Sequence, residues 1–313
     1  MPQMTPAQSR VIDPILSSVA QGYQNNDFIG GKLFPTVPVT ARGGKILSFG
    51  KEDFMLYNTA RAPGQNTKRV QFGYSGLPYT LEDHSLEGVL PIENQQEAEA
   101  VPGIDLGSIT VNKTQNIIAA RLEKAQADLA RNAASYPASN KTTLSGTSQW
   151  SDFSGTSDPV KDVEAGKEAV RKLTGKRPNL IEIGAAVFAF LKQHPKIVDR
   201  LKYTGRDIAT PELLASLFSV DEVVIGDAIY TDDAGTFSDI WGKDVILAYT
   251  AQASAKDRGT PTYGYTYQLD GYAQAEEPYY DRNQKSWIYP VTDVVAPVIA
   301  GVNAGYLIIN AVA

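Results

Sequence analysis

Residues 105–135, DLGSITVNKTQNIIAARLEKAQADLARNAAS, carry an unbroken helical pattern. Ile118, Leu122, Ala125 and Leu129 recur at steps of four, three and four, so they share a face, while Glu123, Lys124, Asp128 and Arg131 mostly fall on others. Roughly 30 residues at about 1.5 Å each span about 45 Å. A rod of that length outruns an ordinary globular domain and reads as a strut to which the other elements must attach.

After the strut comes YPASNKTTLSGTSQWSDFSGTSD (136–158), a linker rich in Ser, Thr, Gly and Asn. It is either a mobile loop or a segment ordered by contacts elsewhere. Asp158 and Pro159 then open a helix as N-cap and first helical residue, and Gly175 stops it. NLIEIG reads as a buried strand, AAVFAFLKQHP as a helix ended by Pro195, and Thr210-Pro211 as another capped start; DEVVIGDAIY and DVILAYTAQA read as strands. Strands and helices thus mix over 158–255 in an α+β lobe. In TYGYTYQL, Tyr263, Tyr265, Tyr267 and Leu269 alternate with the period of a half-exposed strand.

Before the strut lies NTARAPGQNTKRV (58–70), a polar tip between two segments that alternate like strands, KILSFGKEDFMLY and QFGYSGLPYTL. Pro63 and Gly64 supply turn chemistry, and Arg61, Lys68 and Arg69 carry charge with no acid among them. A hairpin alone is marginal in water, so this one needs support from its own domain or from another chain. Charge divides along this part of the sequence. From Arg42 to Arg69 the balance is +4 (six basic residues, two acids), whereas from Glu82 to Asp105 seven acids stand without a lysine or arginine. Such segments invite pairing, within one chain or across to the next.

The first residues hold a short amphipathic helix pattern, VIDPILSSVAQGY (11–23), followed by FIGGKLFPTVPVT, whose prolines and glycines favour an extended path. No basic and apolar leader opens the chain. The uncharged stretch 294–313 is interrupted by Pro297, Gly301, Asn303, Gly305 and Asn310 and reads as two buried strands turning at GVNAG rather than as a membrane span.

Chemistry-bearing motifs are sparse. The 313 residues include no cysteine, which excludes disulfides, thiolate nucleophiles and cysteine-ligated metals. The two histidines, His84 and His194, read as surface or helix-capping residues, and His194 suits a helix C-terminus. No nucleophile elbow, zincin, phosphate-loop or dinucleotide fingerprint occurs, and Asp232, Asp233 and Asp239 fit a turn better than a calcium loop. No catalytic, metal or cofactor residue is expected. The net charge of −6 argues against a protein that wraps nucleic acid by overall attraction, and the tyrosine-rich strand lacks the cations of a stacking groove.

The order of these features resembles the major capsid protein of tailed bacteriophages, a fold shared with encapsulins and the floor domain of herpesvirus capsid proteins. The stretches IDPILSSVAQGYQNNDFIGGKLFPTVPV, GGKILSFGKEDF, HPKIVDRLKYTG, TPELLASLFSVDEVVIGDAIY, DIWGKDVILAY and GYLIINAV carry the resemblance over most of the chain. It implies an α+β fold in five parts: an N-terminal arm (1–39), an extended hairpin loop (40–80), and a peripheral domain (81–157) with its spine helix at 105–135. An axial domain (158–261) follows, then strands returning to the peripheral and axial domains (262–313).

The function implied is a structural subunit of an icosahedral phage head, assembled in the bacterial host cytoplasm and enclosing double-stranded DNA. Its partners would be itself in pentamers and hexamers, a separate scaffold or none, and portal and decoration proteins, with no membrane. The hairpin would then protrude because its support is a neighbouring subunit. Arg61, Lys68 and Arg69 are expected to meet a neighbour's acids, among them Glu93, Glu97 and Glu99. Some family members crosslink a loop lysine to an asparagine of another subunit; Lys45, Lys51 and Lys68 lie in the hairpin, but none is assigned to that position, and assembly is expected to be non-covalent. An encapsulin-like compartment is the alternative within the fold, and a carboxylate-dependent hydrolase the alternative from another class.

Overall fold

The strut begins at a side chain. Asp105 accepts hydrogen bonds from the backbone N–H groups of Gly107 and Ser108 at 3.0 and 3.3 Å, and the Ser108 hydroxyl holds its carboxyl below the ordinary value. In the computed structural model, which describes residues 28–47, 59–61, 66, 67, 69, 76–99, 105–201, 209–251 and 262–313, the helix runs from Leu106 to Arg131.

The described chain opens with a helical turn, α1 (Gly30–Leu33), and strands β1 (Thr36–Val39) and β2 (Gly43–Leu47). It returns through β3 (Gly76–Thr80), β4 (Glu82–Pro91) and α2 (Ile92–Glu99) to the long helix, α3 (Leu106–Arg131). There follow β5 (Lys141–Thr143), α4 (Pro159–Thr174), β6 (Leu180–Gly184), α5 (Ala185–Leu191), α6 (Pro195–Leu201) and α7 (Pro211–Phe218). Then come β7 (Glu222–Gly226), a hairpin of β8 (Ile229–Thr231) and β9 (Phe237–Asp239), and β10 (Val245–Ala248). The last elements are β11 (Gly264–Leu269), β12 (Gln274–Ala275), β13 (Tyr279–Asp281), β14 (Ser286–Ile299) and β15 (Gly305–Ile309).

Two sheets organise the molecule. In one, β14 is the hub: it pairs antiparallel with β11, β12, β13 and β4, and β1 joins parallel to β11. The other runs β5-β15-β10-β6-β7. The uncharged C-terminal stretch is thus two strands with buried residues, as its composition suggests, but each belongs to a different sheet.

The β5–β7 sheet is covered on both faces, and alternation along its strands sorts side chains between two cores. Ile181, Ile183, Val245, Leu247 and Ile308 pack with α4, α5, α6 and α7. Leu180, Ile246, Ala248 and Leu307 face Ala127 and Ala130 of α3, with Phe34 and Tyr263. At the end of β6, backbone packs on backbone: a Cβ added at Gly184 would lie 2.0 Å from the carbonyl oxygen of Gly242. Gly184→Ala should therefore force the two chains apart and cost about 1–3 kcal/mol, read as a lower urea midpoint with an unchanged slope.

Several expectations need correction. The buried stripe of α3 is Val111, Thr114, Gln115, Ile118, Glu123, Gln126, Ala127 and Ala130, so the stripe drawn through Leu122, Ala125 and Leu129 is rotated, and Ala125 is exposed. The reason is that this face meets backbone and indole donors as well as apolar groups. FIGGKLFPTVPVT includes the turn α1 before it extends. Tyr263 and Tyr265 are buried, because β11 is flanked by β1 and β14 and covered by Phe34. Of the two readings of the linker 136–158, the structure matches the one ordered by contacts elsewhere and needs no correction: Trp150 is fully buried and donates to Asp162 at 2.9 Å, and β5 pairs with β15. His194 is buried at the start of α6, where its Nδ1 accepts the Lys196 N–H at 3.3 Å and Nε2 lies 2.9 Å from Ser157 Oγ. Burial lowers its pKa, so it is a neutral cap rather than a charged one at a helix C-terminus. The amphipathic pattern at 11–23 lies outside the described residues.

Candidate assembly surfaces and the hub behind them

β2 and β3 pair antiparallel from Gly43↔Thr80 to Leu47↔Gly76, at the base of the expected hairpin loop, most of which lies outside the described residues. Arg42, at its base, donates to Asp83 at 2.7 Å, and the Leu81 N–H donates to the Arg42 carbonyl at 2.9 Å. One basic residue of the cationic segment thus folds back onto one acid of the acidic segment. Both side chains are nearly half exposed, so the pair fixes direction more than it stabilises.

The cations further out behave differently. Arg61 and Arg69 are exposed, and neither forms an ion pair within the described residues; Lys68 lies outside them. Glu93 and Glu97 are exposed on α2, likewise without an ion pair there, and Glu99 is the last residue of that helix. Among the described residues, Arg61 and Arg69 therefore form no ion pair with Glu93 or Glu97 of their own chain.

Apolar surface is exposed at defined places. Leu86 and Val89 on β4 border a groove with Ile109 and Ile117 of α3, Val89 and Ile117 being more than half exposed. On the β8–β9 hairpin Ile229 and Phe237 stand out, and on β13 Tyr279 and Tyr280. Asp232 shapes the turn of that hairpin by accepting from Ala234 N and Thr236 N at 3.0 and 2.8 Å, as its composition predicts. Among the described residues no group of His, Asp and Glu is arranged to hold a metal, and no helix is long and apolar enough to cross a membrane.

Behind these surfaces is a polar hub that sequence reasoning did not find. Glu123, 2% exposed, accepts from Ile29 N at 3.0 Å, Gly30 N at 2.8 Å and Trp241 Nε1 at 2.7 Å. Burial pushes its pKa up, and the three donors restrain the rise. Gly30 is required by this approach, since a Cβ there would sit 2.0 Å from Gln126 Oε1 and 2.6 Å from Glu123 Oε2. Two turns further, Arg131 donates to Asp244 at 2.7 Å and to the Ile240 carbonyl at 3.1 Å, and Asp244 accepts from Asn310 N at 2.9 Å. Glu182 of β6 is fully buried, with neither carboxylate oxygen hydrogen-bonded; burial raises its pKa well above the ordinary value, and Arg131 partly opposes this. The hub ties the first described residues, the strut and the α+β lobe into one body.

A rigid body with a tethered cationic hairpin and exposed apolar edges has the design of an assembly subunit. The comparisons agree. The model of the family "Phage major capsid protein E" matches residues 134–286. The major capsid protein of Burkholderia phage BcepMu is 39% identical over 303 residues, 96% of each chain. A phage-related protein from Bordetella bronchiseptica RB50 is 45% identical, with a TM-score of 0.82 over 97% of this chain and 98% of that one. The capsid structure of cyanophage P-SCSP1u shares the fold at 10% identity, with a TM-score of 0.57 over 99% of this chain and 93% of that one. The chain belongs to the phage major capsid protein family, whose members are structural components of the virion rather than enzymes.

Proposed function

We propose that this chain builds an icosahedral phage head by closing into pentamers and hexamers around double-stranded DNA, with the hairpin of residues 40–80 laid over a neighbouring subunit. The observation that carries this reading is the contrast along the hairpin. Its feet are fixed by β-pairing and by Arg42–Asp83, while Arg61 and Arg69 have no ion-pair partner among the described residues of their own chain. Contacts that run head to tail close into rings, and rings joined through further contacts close into shells. In this reading Arg61, Lys68 and Arg69 meet acids of the next subunit, with Glu93, Glu97 and Glu99 as candidates. Each exposed pair contributes about 0–1 kcal/mol, so its value lies in register repeated over many copies.

In this reading the chain divides into an N-terminal arm (1–39), hairpin (40–80), peripheral domain (81–157), axial domain (158–261) and returning strands (262–313), with the hub as the join between arm, strut and lobe. Scaffold, portal and decoration proteins complete the expected set of partners.

The test is electron microscopy of the purified chain after size-exclusion chromatography with light scattering. Closed shells, or pentamers and hexamers, are expected, and reversing Arg61, Lys68 and Arg69 to Glu should abolish them at moderate salt. A chain that remains monomeric at high concentration with scaffold added would overturn the reading. Normal shells from the triple reversal would remove the hairpin pairing alone.

A further inference from the structure

The β8–β9 hairpin is exposed along its whole length, residues 229–239, yet it is not uniformly polar. Directly opposed residues of an antiparallel pair share a face, and the register sets Ile229 against Asp239 and Thr231 against Phe237. One face therefore presents Ile229, 55% exposed, and Phe237, 70% exposed, together with Asp239. The other carries Tyr230, whose ring lies 5.0 Å from Lys124 Nζ on α3. The hairpin thus meets the strut by one face, and its apolar face is uncovered among the described residues. Its own sequence is acidic: from Asp227 to Asp239 there are four acids and no lysine or arginine, and Lys124 of α3 is the cation it meets.

At the other end of the same lobe is a patch of opposite character. Leu173, near the end of α4, is 39% exposed, and Arg171, Lys172, Lys176 and Arg177 beside it in sequence are all exposed. Glu168 is the acid they share, bonded to both Arg171 and Arg177. The chain passes from α4 into β6 at Leu180, which pairs with Glu222, whereas the hairpin leaves the sheet beyond Gly226, which pairs with Gly184. The acidic apolar face and the basic apolar face are therefore tied to opposite ends of β6 and β7.

We propose that the Ile229–Phe237 face of one subunit docks on the Leu173 patch of a second copy of this chain. The pairing is heterologous, because each copy offers both halves, and it propagates around a ring. It rests on the assembly reading above and adds a contact distinct from the long hairpin. Apolar side chains supply the buried centre, and the surrounding charges set orientation and rate of encounter.

Absence of native cysteine makes the test direct. Assembled particles of the L173C/F237C double variant are treated with a short bismaleimide and run on a denaturing gel. A ladder rising to the ring size is expected, with no ladder from either single variant. Intact shells of the double variant that yield no ladder, or F237C alone linking into dimers, would overturn the proposal while leaving the assembly reading standing. As a second measurement, D233K/D239K should lose assembly and K172E/K176E in the same chain should restore it, with circular dichroism unchanged throughout. Undiminished assembly of D233K/D239K would also overturn it. A wild-type chain that never assembles would sink the assembly reading and this contact with it.

Discussion

Replacing Glu123 with alanine should cost the folded subunit about 3–5 kcal/mol, the range for removing one member of a buried charged hydrogen-bonded set. The change leaves three donors facing a void: the N–H groups of Ile29 and Gly30 and the indole N–H of Trp241. Glu123→Gln keeps the shape but turns an NH2 group toward at least one of those donors, so it should fall between alanine and wild type. Urea unfolding of the dissociated subunit measures both. A loss under about 1 kcal/mol for alanine would show that the hub is not the join between strut and lobe. Because the donors come from the chain entry and from the loop before β10, early release of Trp241 fluorescence in the variant is expected as well.

Glu182 should give the opposite sign. Its carboxyl is buried without a hydrogen-bond partner, so a methionine of similar volume should stabilise the subunit by about 1–4 kcal/mol at neutral pH. The sign with pH follows from the raised pKa. In the unfolded chain the group titrates near 4.5, while in the folded chain burial holds the proton to well above that value. Between the two values the folded state binds more protons, so wild-type stability is fully present below about pH 4.5 and falls as pH rises through the folded pKa. Glu182→Gln, which cannot titrate, should remove that decline. Thermal unfolding from pH 4 to pH 8 checks it: parallel profiles for wild type and Glu182→Gln would mean that Glu182 does not titrate in this window.

What could be read in advance was local chemistry. Asp158 and Thr210 each accept a backbone hydrogen bond at the start of a helix, as their types and positions suggest, whereas the cap at Asp105 emerged only in the structure. The strand NLIEIG, the stop at Gly175 and the turn around Asp232 follow from similarly short-range rules. The charge division was legible too, and Arg42–Asp83 is its visible fragment. The hub was not legible, because its partners are far apart: Glu123 meets residues 93, 94 and 118 positions away. On a helix, a buried glutamate and an exposed one look alike until the donors are known. The same holds for Glu182, which sits in a strand whose other residues describe an apolar core correctly. The apolar face on the β8–β9 hairpin was hidden by its aspartates, which drew attention to the turn and away from Ile229 and Phe237.

The central strands of both sheets come late in the chain. β14 is the hub of one sheet, and β15 lies between β5 and β10 in the other. During synthesis, the edges of β4, β11 and β10 emerge before the strands that cover them, so neither sheet can close until β14 and β15 have left the ribosome. A nascent or truncated subunit without β14 and β15 therefore lacks the finished body on which its contact surfaces are mounted. The cost is a period in which unpaired strand edges are open to misassociation, which makes the interval before β14 and β15 emerge the point at which a chaperone would have most effect.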